Sequence, residues 1–121
     1  MSAYTVIECS GRGMAYSMIV SEGVVVNQAQ DGLDLMAAAG GERIMLRDSH
    51  LNPGFFRLRT GFAGELLQKF VNYGVSLAVI GDFFKYPGDT LKDFICESNR
   101  TRRIVFAASP DEALSLWSRA G

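Results

Sequence analysis

Apolar and polar positions divide this chain into a hairpin followed by alternating helices and short buried strands. Residues 4–9 and 14–20 are rich in β-branched, aromatic and other apolar side chains and flank Ser10-Gly11-Arg12-Gly13, a turn-type cluster, which predicts a β-hairpin. After Val24-Val25-Val26, Asn27 is placed to cap a helix with Gln30 three residues on, and Leu33, Met36 and Ala37 form its apolar stripe before Gly40-Gly41 ends it. Residues 43–47 contain the run Ile44-Met45-Leu46, the signature of a strand covered on both faces, and residues 48–58 read as a loop or irregular helix. From 61 to 73, Phe62, Ala63, Leu66, Leu67, Phe70 and Val71 recur at helical spacing, with Glu65, Gln68, Lys69 and Asn72 opposite. Residues 76–80 form a second buried strand, followed by a Gly81-Asp82 turn. Thr90 with Asp93 starts a third helix carrying Leu91, Phe94 and Ile95, with Asn99 as its stop, and residues 103–107 form the last strand. Ser109-Pro110-Asp111-Glu112 is a helix start with a capping serine and proline at the first position, before Ala113, Leu114, Leu116 and Trp117.

The order is ββαβαβαβα. Right-handed crossovers between successive strands make most of the sheet parallel and lay helices on it, so the expected class is α/β: a single mostly parallel sheet with an N-terminal β-hairpin. At 121 residues, 48% hydrophobic, the chain has the size of one domain able to build a core without disulfides or a structural metal.

Charge and composition then narrow the function. Twelve basic against thirteen acidic residues give a net charge of −1, which argues against nucleic acid or anionic lipid as a partner. No run approaches the roughly 18 apolar residues of a membrane span, and Met1–Ile7 is not a secretion signal, so the expected location is cytoplasmic. The widely separated Cys9 and Cys96 fit a reducing compartment, and one histidine, His50, excludes multi-histidine metal sites. No cofactor or metal motif is present. Gly11-x-Gly13 joins two strands rather than a strand and a helix, so it is not a dinucleotide fingerprint.

The segment Thr60-Gly61-Phe62-Ala63-Gly64-Glu65-Leu66-Leu67-Gln68-Lys69-Phe70, with Leu33-Asp34-Leu35-Met36, Leu77-Ala78-Val79-Ile80-Gly81-Asp82-Phe83 and Asp93 to Asn99, resembles an uncharacterised bacterial domain-of-unknown-function family over nearly the whole chain. More distantly, the plan resembles STAS domains of the anti-sigma factor antagonist type. In those an acidic residue, a small residue, a phosphorylatable hydroxyl and a glycine open the second long helix. Leu58, Arg59, Thr60 and Gly61 stand at the matching positions, with the hydroxyl and glycine kept and the acidic and small residues replaced. The resemblance implies a protein-binding regulatory domain switched at Thr60.

Physical chemistry gives Thr60 two readings, an N-cap or a phosphate acceptor at a helix start, where unpaired N–H groups favour an anion and Arg57, Arg59, Gly61 and Glu65 lie close in sequence. A second class of function uses the ends of the parallel strands, where Asp48, Asp82, Lys85 and Tyr86 could line a polar crevice for a small molecule or weak catalysis. Ser49, His50 and Ser109 lie at the same ends, His50 reading as a loop residue. Cys96, on an amphipathic helix, reads as a small packing residue, and Cys9 likewise. Phe55-Phe56 and Phe83 to Pro87 are aromatic loop clusters suited either to core packing or to exposed partner or ligand contact. A homodimer through an exposed helix or an edge strand is compatible with both functions.

Overall fold

The structure is a computed structural model that describes residues 4–86 and 88–118, Phe84 through its backbone alone. Arg12 and Gly13 both take positive φ, 51° and 77°, forming the two-residue turn whose twist matches that of the strands it joins. Strands β1 (Thr5–Gly11) and β2 (Met14–Val20) therefore pair antiparallel, with Gly11 opposite Met14. Strand β1 runs through Ser10 and Gly11, so the turn is two residues shorter than the four-residue turn cluster suggests. Strands β3 (Arg43–Arg47), β4 (Ser76–Ile80) and β5 (Ile104–Ala107) add in parallel, giving the sheet order β1-β2-β3-β4-β5. The apolar runs set the first two of these to the residue, because strands covered on both faces need no polar alternation.

Successive parallel strands always step the same way across the sheet, so right-handed crossovers must put every crossover helix on one face. Helices α1 (Ala29–Ala39), α2 (Phe62–Asn72) and α3 (Asp89–Arg100) accordingly share that face. Leu35, Leu66, Phe70 and Leu91 pack there on Ile44, Leu46, Leu77, Val79 and Phe106. Among the described residues only α4 (Pro110–Ser118) covers the other face, where Ala113, Leu114 and Trp117 meet Met45, Ala78, Val105 and Ala107. The α1–α2 crossing depends on Gly32: a Cβ there would lie 2.5 Å from Leu66 Cδ1. The Ser109 hydroxyl accepts from Glu112 N–H at 3.2 Å, the cap expected of it.

Several local expectations shift. The first helix is entered from Gln28, not Asn27, because Asp31 rather than Gln30 supplies the carboxylate that accepts from the Asn27 and Gln28 N–H groups at 2.9 and 3.2 Å. The third helix begins at Asp89, leaving Thr90 inside its first turn, and extends through Asn99 to Arg100. The Asn99 amide turns instead to β5, accepting from Phe106 N–H at 2.7 Å and donating to Phe106 C=O at 3.0 Å. Cys96 and Val71 are exposed rather than packed, each lying just off the buried stripe of its helix. Cys9 is half-buried on the hairpin. Among the described residues no helix is long and apolar enough to cross a membrane.

Candidate functional site

The carboxyl ends of the parallel strands are tied together by His50, which is buried in a 3-10 turn (Asp48–His50) rather than loose in a loop. Its Nδ1 accepts from Arg47 N–H at 3.0 Å and its Nε2 lies 3.0 Å from the Ser21 carbonyl, so the ring is the Nε2–H tautomer with both nitrogens used. The His50 carbonyl accepts from Val25 and Val26 N–H groups at 2.7 and 2.9 Å. The ring thus joins the end of β2 to the end of β3, and its role is structural.

Beside it, Asp48 leaves β3 with its carboxylate mostly buried, at 12% side-chain exposure. Lys85 Nζ approaches one carboxylate oxygen at 2.9 Å and Tyr86 O–H donates to the same oxygen at 3.2 Å. Gly81, at the end of β4, makes room for this carboxylate, since a Cβ there would stand 2.7 Å from Asp48 Oδ2. Burial, then the Asp48 charge and hydrogen bond, push the Tyr86 phenol above its ordinary pKa of 10.0. Lys85 is raised as well, chiefly by its hydrogen bond to Asp48. Three of the four residues placed in a polar crevice therefore meet, but they satisfy one another. Asp82, the fourth, is exposed in the turn after β4.

The open space lies next to this cluster. A cleft of about 730 Å³ separates the segment after β3 from the start of α3. Pro53, Phe56, Arg57, Leu58 and Arg59 line one side, from two further 3-10 turns (Pro53–Phe56, Leu58–Thr60), and Tyr86, Thr90 and Leu91 line the other. Tyr86 stacks on Phe56 with ring centroids 4.5 Å apart and planes 21° apart, and Phe83 and Phe55 extend the aromatic packing toward Phe106. Phe55 and Phe56 are both buried in the core, and Phe56 also lines the cleft. Arg57 and Arg59 are exposed at the cleft, and among the described residues neither guanidinium has a hydrogen-bond or ion-pair partner. Among the described residues the lining carries two guanidinium groups and no carboxylate.

Thr60 borders this wall without lining the cleft. Its hydroxyl lies 3.0 Å from both the Gly54 and Arg57 carbonyl oxygens and accepts from Phe62 N–H at 3.2 Å, so it stitches the 3-10 turns to the first turn of α2. The backbone cap is Gly61, at φ 75°, one residue later than an N-cap at Thr60 requires. Glu65 stands exposed in the first turn of α2, outside the cleft lining. Sequence reading missed Thr90 and the apolar liners Pro53 and Leu58. Thr90 had a helix-start signal, whereas nothing local in sequence brings residues 53–59 against residues 86–91. Among the described residues no group of three or more His, Cys, Asp or Glu is placed to hold a metal ion.

The family described as Domain of unknown function (DUF4180) matches residues 12–116, and the chain belongs to it. Neither a curated protein nor a solved structure matches the chain.

Proposed function

We propose that this member of the family is a cytoplasmic binding module of STAS-like plan, whose cleft takes a small molecule with an apolar, flat body and an anionic group. The observation that carries this reading is the pair of unpartnered guanidiniums, Arg57 and Arg59, beside a wall built on the Phe56–Tyr86 stack. Arginine binds carboxylate or phosphate through its planar fork, and an aromatic wall favours a flat ligand body. The cleft has the volume of a typical small-molecule site. Lys85 and Asp48 are committed to each other, so they hold Tyr86 in place rather than meet the ligand.

Thermal unfolding in the presence of matched pairs tests this: an aromatic carboxylate or phosphate monoester against its uncharged amide or alcohol. A ligand selective for the folded state at 100 times its Kd adds about 2.7 kcal/mol to apparent stability. The expected result is a rise in Tm with the anionic members alone, abolished in the Arg57→Ser, Arg59→Ser double variant. Equal shifts with charged and uncharged members, no shift at saturating concentration, or shifts that survive in the double variant would overturn the assignment.

A regulatory reading is supported by the position of Thr60. A phosphate there would remove the hydrogen that Thr60 offers to the Gly54 and Arg57 carbonyls and add negative charge close in sequence to both arginines. Phosphorylation would thus loosen the arginine wall and compete for it, coupling a protein kinase or phosphatase partner to occupancy of the cleft.

A further inference from the structure

The two edges of the sheet are finished differently. On β5, Asn99 reaches over from α3 and satisfies both the N–H and the C=O of Phe106, at 2.7 and 3.0 Å, while Ser98 Oγ donates to Ile104 C=O at 2.7 Å. Side chains close that edge to any further strand. On β1 no such cover exists among the described residues. The tight turn at Arg12-Gly13 makes Gly11 and Met14 a hydrogen-bonded pair, so the ladder alternates down the hairpin through Cys9–Tyr16, Ile7–Met18 and Thr5–Val20. Val6, Glu8 and Ser10 therefore direct their backbone N–H and C=O groups away from β2, and none of these groups has a partner among the described residues.

We infer that this edge pairs antiparallel with β1 of a second copy of the chain, joining two five-stranded sheets edge to edge about a two-fold axis. The choice of a second copy rests on self-complementarity. An antiparallel strand pair about a two-fold uses the same edge on both sides, so the open row of donors and acceptors on β1 is matched by the identical row. Charge then excludes one register. A two-fold at Glu8 would set two carboxylates directly opposite each other, which destabilises a strand pair. A two-fold at Ile7 avoids this and brings the outward-facing Val6 opposite Glu8 of the other copy, with Thr5 opposite Cys9 and Ile7 opposite Ile7. The apolar exposure agrees with that centre. Ile7, 46% exposed, lies on the α4 side of the hairpin with Val20, 47% exposed, and these are two of the four large hydrophobic side chains exposed among the described residues.

Light scattering across the micromolar range, coupled to size exclusion, reads the assembly directly. The expected mass at the upper end is twice 13.2 kDa. Glu8→Pro removes an outward N–H that β2 does not use and is expected to give a monomer with an unchanged far-UV spectrum. Ile7→Cys in a Cys9→Ser background is expected to form an intermolecular disulfide on mild oxidation, while the natural Cys9 does not link to itself in this register. Should Glu8→Pro fail to fold, the Ile7→Cys cross-link still decides. A monomer at all concentrations, a dimer undiminished in folded Glu8→Pro, or cross-linking through Cys9 instead of position 7 would overturn the proposal.

Discussion

Tyr86 shows how one side chain serves both stability and the site. Its ring forms part of the cleft wall by stacking on Phe56, and its hydroxyl is held by Asp48. The folded state keeps the phenolic proton more tightly than the unfolded chain does, since burial and the Asp48 charge raise its pKa. Its contribution to stability is therefore complete below about pH 10 and is lost as pH rises through the unfolded value and then the higher folded one. Lys85, raised by the same carboxylate, changes in the same direction. Tyr86→Phe is expected to cost about 1 kcal/mol at neutral pH, from the lost hydrogen bond, and to flatten the decline of the urea midpoint above about pH 10. An alkaline limb identical to that of the natural protein would show that the phenol contributes nothing. Residue chemistry was only partly legible in the sequence. Asp48, Lys85 and Tyr86 could be named from their places after strands, but that they would satisfy each other depends on the β3–β4 register and on the room at Gly81. His50 looked like a loop residue because its partners, Arg47 N–H and Ser21 C=O, are backbone groups that leave no trace in side-chain pattern.

Elements were more readable than contacts, because burial on both faces and helical spacing are local signals. The runs at Arg43–Arg47 and Ser76–Ile80 coincide with β3 and β4, and the stripe through Ala63, Leu66, Leu67 and Phe70 is the buried face of α2. Val71 falls outside it, since the stripe is narrower than a tally of apolar residues suggests. Helix starts moved by a residue or so, to Gln28 where Asp31 takes the free N–H groups, and to Gly61, whose left-handed φ separates the preceding 3-10 turn from α2. The close crossing of α1 and α2 is an element-scale feature with a sharp test. Gly32→Val must shift the Leu66 side chain, 2.5 Å from the added Cβ, and crowd Phe70, with an expected cost of about 2–3 kcal/mol from overpacking, partly offset by better helix propensity. Gly64→Val, at a position where a Cβ would meet nothing within 4 Å, is expected to leave the unfolding free energy from urea titration within about 0.5 kcal/mol of its natural value. Equal losses in the two variants would mean that the crossing is not the constraint.

At the scale of the molecule, the ββαβαβαβα order and parallel sheet were legible, whereas the cleft was not. Arg57 and Arg59 follow β3, and Tyr86 and Thr90 follow β4. The cleft exists only because two successive crossovers leave the same end of the sheet side by side, a relation that no window of sequence contains. A further consequence comes from the sheet order β1-β2-β3-β4-β5, in which every strand pairs with its neighbour in sequence. Chain closure is short-range at every step, so the hairpin offers a template and each crossover unit can dock on the one before it. Helix α4 joins last and, among the described residues, alone covers the second face, around the chain's one tryptophan, Trp117, whose Nε1–H donates to Arg103 C=O at 3.3 Å. A helix held by one small cluster is the natural first unit to open. Trp117 emission is expected to shift to the red at lower urea than the loss of far-UV helix signal, and coincident transitions would make the whole domain one cooperative unit. Where the early shift is found, the protein carries its own optical reporter of a partly opened state in which the cleft, on the opposite face, is still intact.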